Sequence, residues 1–177
     1  LVRPLGVTVF IGFIAFFGSM TGAAAESQEL QANNLVKMGT DLAERSRYLE
    51  AVEIFEEARN VLESAGLTSS MLYADAQFFL AQTMIKARLH QGFPAFYVKA
   101  ALESVQSANK LREGLPKMLP QKLAEGYFLE GYIHKKFFMR RKEAAALLEK
   151  AVNIDPGSTA AKRELSELIS EDDQQKQ

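Results

Sequence analysis

An all-α fold is predicted by three features of this sequence. From Glu26 to about Ser170 the apolar residues recur at intervals of three and four, without the alternation that marks a strand. That span is interrupted at residues 64–70, 90–94, 114–120 and 155–158 by the residue types that stop and restart helices. The composition is an ordinary globular one: of 177 residues, 47% are hydrophobic and 24% charged, enough to bury a core without covalent staples. The absence of cysteine excludes disulfides, thiolate metal sites, c-type haem attachment and a lipid-bearing cysteine. A net charge of -1 excludes a globally basic nucleic-acid binder, and two histidines are scant material for a catalytic triad or a zinc site.

Residues 1–25 hold one charge, Arg3, then the apolar run 7–17, then small residues from Gly22 to Ala25. This is the three-part layout of an export leader, with cleavage expected near Ala25. The competing expectation is an inner-membrane anchor over residues 5–20. Against it stand Gly12 and Gly18, and a run shorter than the ~20 residues a spanning helix needs. Export without cysteine suits a bacterial periplasm or the cell exterior. Residues 26–170 then form one helical domain, with helix pairs at about 32–65, 74–115 and 124–157. Ser70 and Ser158 are placed to cap helix starts, and Pro94, Pro116, Pro120 and Pro156 mark the breaks. Residues 158–170 form a helix with one apolar side, and 171–177 a polar tail.

Leu35-x-x-Met38-Gly39-x-x-Leu42, followed by Tyr48, Ala51-x-x-x-Phe55 and Ala58, resembles the tetratricopeptide repeat. Gly39 and Ala51 are small where the two helices of a pair cross, and Ala58 is small where the next pair leans in. A second match runs through Ala124, Tyr127, Gly131, Ala144-x-x-x-Leu148, Ala151 and Asp155-Pro156. Between them, Leu80-Ala81-x-x-Met84 and Ala101-x-x-x-Val105 with Ala108 resemble a middle repeat, but Ala81 and Ala101 stand 20 positions apart, against 12 for Gly39 and Ala51. A connector about eight residues longer than usual is therefore expected around residues 90–97. The resemblance implies a short right-handed α-solenoid of three helix pairs, closed by residues 158–170 as a capping helix.

The resemblance further implies a concave groove, lined by the first helix of each pair, that holds a peptide or helix of another protein. Carried over position by position, its lining is Asn33, Val36 and Thr40, then Asp75, Phe78 and Gln82, then Glu125, Phe128 and Tyr132. The basic clamp by which some relatives of this kind hold a terminal carboxylate is missing, since Val36, Thr40, Phe79, Glu125 and Leu129 stand in most of those places. Phe78, Phe128 and Tyr132 either offer an apolar strip to the partner or belong to the core.

Two further surfaces stand out. Phe93, Phe96 and Tyr97 lie in the expected connector, either as a second contact or folded back and buried. Lys135, Lys136, Arg140, Arg141 and Lys142 form the densest run of one sign, read either as a surface for anionic lipid or an acidic partner, or as a solvated helix end. No spacing of His90 and His134 with acidic residues makes a metal site, no paired carboxylates are set to different tasks, and no phosphate-binding loop or nucleophile elbow occurs. The sequence thus leads one to expect a non-enzymatic scaffold or adaptor that binds another protein, with no cofactor, metal, small-molecule substrate or nucleic acid. The alternative is a membrane-tethered accessory subunit or assembly factor of an envelope complex.

Overall fold

Helices account for all the regular structure among the described residues. The computed structural model describes the backbone of residues 10–174 and the side chains of residues 22–171. Among these are α1 (Phe10–Glu44), α2 (Tyr48–Ser64), α3 (Met71–Gln91), α4 (Phe96–Gly114), α5 (Pro120–Ile133), α6 (Arg141–Ile154) and α7 (Thr159–Gln174), and no strand. The expected leader falls on residues 1–9, which lie outside the described residues, and on the start of α1, which runs through Ala25 unbroken. No helix among the described residues is long and apolar enough to cross a membrane.

The boundaries follow from local chemistry. Gly66 takes φ 71 just past the end of α2, a left-handed conformation that costs glycine little. Ser70 Oγ then accepts a hydrogen bond from Tyr73 N at 3.1 Å, satisfying one of the orphan donors at the start of α3. Pro120 opens α5, where its missing N–H has no consequence. Asp155 Oδ1 accepts from Gly157 N at 2.9 Å, shaping the turn into α7.

The expected long connector is corrected by the structure. Only residues 92–95 separate α3 from α4, and the additional length lies within the helices, 21 residues in α3 and 19 in α4. Gly92, at φ 69, ends α3 abruptly, and Arg88 Nη1 donates to Phe93 O at 2.7 Å across the turn. A second difference lies at the end of α5. The chain continues from it through a π-helical turn, His134–Phe138, before Met139 at φ 54 ends the coil and Arg140 N donates to His134 O at 3.1 Å.

Successive helices pack on one another, and α1 with α3, α3 with α5 and α5 with α7 touch as well. The tight crossings are made by small residues. A Cβ on Gly39 would stand 2.8 Å from Phe55 Cε1, and one on Gly131 would stand 3.0 Å from Leu148 Cγ and 3.2 Å from the Ala144 carbonyl oxygen. Ala51, Ala58, Ala81, Ala101, Ala108, Ala144 and Ala151 are all fully buried, which lets backbones approach as ridges enter grooves. The larger core side chains fill the spaces between those crossings. Phe55, Leu62, Leu80, Val105 and Ile133 belong to one cluster, and Leu148 with Leu168 anchors another beneath α7. Full burial of one such leucine or phenylalanine stabilises by about 1.5–3 kcal/mol.

Candidate partner-binding surface

A cleft of about 800 Å³ lies between α1 and α3. Its walls are Glu26, Glu29, Leu30 and Asn33 from α1, at helical spacing, and Met71, Leu72 and Asp75 from the first turn and a half of α3. The lining mixes apolar Leu30, Met71 and Leu72 with the carboxylates of Glu26, Glu29 and Asp75. Leu30 is 62% exposed and leaves apolar area open on the cleft wall. Of the residues carried over from the repeat family, Asn33 and Asp75 are both in the lining of this cleft.

The remaining carried-over positions divide differently. Val36 is buried within the main core, which corrects the expectation that it lines an open groove, and Phe78 is buried there too, so of its two readings it belongs to the core. Phe78 is covered by the Arg112 guanidinium, 4.5 Å above its ring centroid. Phe128 is half-buried and packs into both clusters to which α7 contributes, Ala161 in one and Leu165 with Leu168 in the other. Thr40 is half-buried and its hydroxyl donates to the Val36 carbonyl at 2.9 Å. Gln82 and Tyr132 are half-buried, Glu125 is exposed, and burial pushes the Tyr132 hydroxyl above its ordinary range, with Glu164 adding to it.

Asp75 is not a free acceptor. Arg112 Nη2 reaches it at 2.8 Å and Lys122 Nζ at 2.5 Å. Arg112 also donates to the Lys122 carbonyl at 2.7 Å, so one guanidinium with 1% exposure joins α3, α4 and α5. Beside it, Asn109 Nδ2 donates to Glu130 Oε2 at 2.9 Å and Gln106 Nε2 to Glu130 Oε1 at 3.0 Å. Gly126 lies so near that a Cβ there would collide with Asn109 Oδ1. This network is nearly silent in the sequence. Its only signal is the i, i+3 pairing of Asn109 and Arg112 on the apolar side of α4.

Two of the five cations of the basic run are engaged by α7. Lys135 Nζ reaches Glu164 Oε2 at 2.8 Å and Glu167 Oε2 at 2.7 Å, and Arg141 Nη1 reaches Glu171 Oε2 at 2.7 Å. Burial opposes the charge on Lys135, but the hydrogen bonds to Glu164 and Glu167 outweigh it and hold its pKa above the ordinary lysine range. Arg140 lies over the Phe138 ring, and Lys136 and Lys142 are exposed. The expected patch of five outward cations is therefore corrected: Lys135 and Arg141 bind the last helix to the body. In the α3–α4 turn, Phe96 is 65% exposed while Phe93 and Tyr97 are half-buried, their rings grouped with centroids 4.3 Å apart for Phe96–Tyr97 and 5.0 Å for Phe93–Tyr97.

Among the described residues no group of three His, Asp or Glu side chains is placed to hold a metal ion. His134 is 5% exposed, and burial holds its imidazole below the ordinary range. No family model matches this chain, and no curated protein matches it.

Proposed function

We propose that this protein is a non-enzymatic interaction module related to the tetratricopeptide repeats, a short α-solenoid in which α1–α2, α3–α4 and α5–α6 are the repeating pairs and α7 is the cap. The observation that carries this reading is the packing order. Odd-numbered helices touch their odd-numbered neighbours as well as the helix next in sequence, as the inner helices of a curved stack do. The partner-binding groove is the α1–α3 cleft, where Leu30, Met71 and Leu72 present apolar area beneath Glu26 and Glu29. A peptide or amphipathic helix from another protein fits such a site. Export to a bacterial envelope belongs to the same reading and rests on the order of charge, apolar run and small residues before Glu26.

A photo-crosslinking residue at Asn33, compared with one at the exposed Glu53 of α2, tests the groove in envelope extract. A discrete adduct from position 33, lost when Leu30 and Leu72 are changed to serine, is the expected result. Equal adducts from both positions, or none from position 33, would overturn it. The second reading, a membrane-tethered subunit, draws on the continuity of α1 across Ala25. The intact mass of the exported protein decides between the two: a chain starting at Glu26 excludes the tether.

A further inference from the structure

Two stretches of the chain, 76–102 and 131–142, carry no acidic residue. The fold brings the turns inside them to one edge. Arg112 donates to the Lys122 carbonyl at 2.7 Å, Gly126 abuts Asn109, and Gln106 Nε2 donates to Glu130 Oε1 at 3.0 Å. These contacts make α4 and α5 antiparallel, each step back along α4 matching a step forward along α5. Continued past Glu130, that order sets Phe96, which opens α4, beside the α5–α6 turn. Half-buried Tyr97, Phe137 and Phe138 accordingly pack on the same core cluster. Three large apolar side chains stay uncovered at this edge: Leu89 is 43% exposed, Phe96 65% and Met139 79%. In the α5–α6 turn, Lys136, Arg140 and Lys142 are exposed and make no ion pair among the described residues. Lys135 and Arg141 are held by α7, Lys99 lies 3.8 Å from Glu103, and Glu143 is the exposed carboxylate that follows the run.

Apolar tips beside uncompensated cations suit a surface that is negative outside and oily beneath. A bilayer containing anionic lipid is such a surface: its acyl boundary admits apolar side chains, and its phosphates meet lysine and arginine at the same depth. An acidic protein would pair the cations but would need a separate recess for each apolar tip. From this juxtaposition we propose that the edge formed by the α3–α4 and α5–α6 turns docks on an anionic lipid surface. Leu89, Phe96 and Met139 enter the headgroup–acyl boundary, and Lys136, Arg140 and Lys142 meet the lipid phosphates. The α1–α3 cleft lies at the start of α3, and the 21 residues of that helix, about 30 Å, separate it from this edge. Cleft and edge can therefore be occupied together, and the lipid contact does not rest on the cleft.

The chain has no tryptophan, so Phe96→Trp places a single fluorescent reporter at the edge, and Leu119→Trp, where the leucine is 57% exposed in the α4–α5 turn, places one at the opposite end. Each full-length variant is titrated with vesicles of phosphatidylglycerol mixed into phosphatidylcholine, and with phosphatidylcholine alone. Residues 1–25 carry an apolar run of their own, which is why the readout is taken at single positions. The expected result is a saturable blue shift from position 96 with the anionic vesicles, at least about tenfold weaker binding to the neutral ones, and no shift from position 119. With the reporter at position 96, Lys136→Ala with Lys142→Ala should weaken binding about twentyfold, at about fivefold per cation. Met139→Asn, a residue that tolerates the left-handed φ of 54 there, should weaken it about tenfold. Should Phe96→Trp disturb the stack on Tyr97, Leu89→Trp reports on the same edge. Four outcomes would overturn the proposal: no shift at the edge with either vesicle, equal binding to both vesicles, equal shifts from positions 96 and 119, or a shift at the edge with a polyglutamate peptide but not with anionic vesicles.

Discussion

Changing Gly39 to alanine sets two effects of opposite sign against each other. Within α1, alanine favours the helix over glycine by about 1 kcal/mol. The new Cβ, however, would stand 2.8 Å from Phe55 Cε1 and 2.9 Å from Cζ. That ring has little room to yield, being 1% exposed and stacked on Phe79 at 5.9 Å. Overpacking of this kind costs about 1–3 kcal/mol, so the substitution should destabilise by about 1 kcal/mol on balance. Phe55→Leu removes the two ring atoms that the Cβ meets most closely. In that background Gly39→Ala should become neutral or stabilise by up to about 1 kcal/mol. Urea unfolding followed by far-UV circular dichroism, with the m-value unchanged across all four proteins, gives the coupling from a double-mutant cycle, expected at about 1–2 kcal/mol. If Gly39→Ala is as stable as the parent while Phe55 is intact, the crossing of α1 and α2 does not depend on the missing side chain, and the small-residue argument for the helix pairs fails with it.

Arg112→Met should destabilise by about 3 kcal/mol, the lower end for breaking a buried pair, because Lys122 still compensates Asp75. For a chain of this size that is a fall in melting temperature of about 6–12 °C, and Asp75→Leu added to it should recover part of the loss. Acidification from pH 6.5 should weaken the fold through His134: its folded-state pKa lies below its unfolded one, so its contribution is complete above the unfolded value and is lost as pH falls towards the folded one. The slope of stability against pH, at most about 1.4 kcal/mol per pH unit from one such group, should flatten in His134→Phe, and an unchanged slope would exclude this histidine as the cause. Leu168→Ala, at a site 2% exposed under α7, should cost about 2 kcal/mol, and protease cleavage within α7 should rise before the rest of the chain unfolds.

The helical class and the breaks between helices were legible because they rest on local chemistry. Ser70 caps from its own side chain, Gly66 and Gly92 take left-handed conformations at no steric penalty, and Pro120 opens a helix where its missing donor is harmless. What escaped depends on which long side chain meets which. The spacing of Ala81 and Ala101 gives the length to be accommodated but not whether a loop or two longer helices absorb it. Gly92 and the Arg88–Phe93 hydrogen bond decide for the helices. Arg112, in the last turn of α4, has the sequence context of a surface cation. Only the arrival of Asp75 and the Lys122 carbonyl, 37 and 10 positions away, lets it be buried. Likewise Glu164, Glu167 and Glu171 recur along one side of α7, yet their purpose becomes readable only once Lys135 and Arg141 are found opposite. Of the groove positions, Asn33 and Asp75 line the α1–α3 cleft. Val36 and Phe78 are instead withdrawn from the surface into the main core.

The two inner seams next to α3 differ in what holds them. Towards α5, the Arg112 guanidinium fastens Asp75 and the Lys122 carbonyl, and such a bond fails abruptly because separation strands a charge away from water. Towards α1, no ion pair among the described residues spans the seam, and contact between apolar surfaces gives way by degrees. A guest wedged beside Leu30 would therefore part apolar surfaces alone, whereas one driven between α3 and α5 would have to unfasten the Arg112 guanidinium.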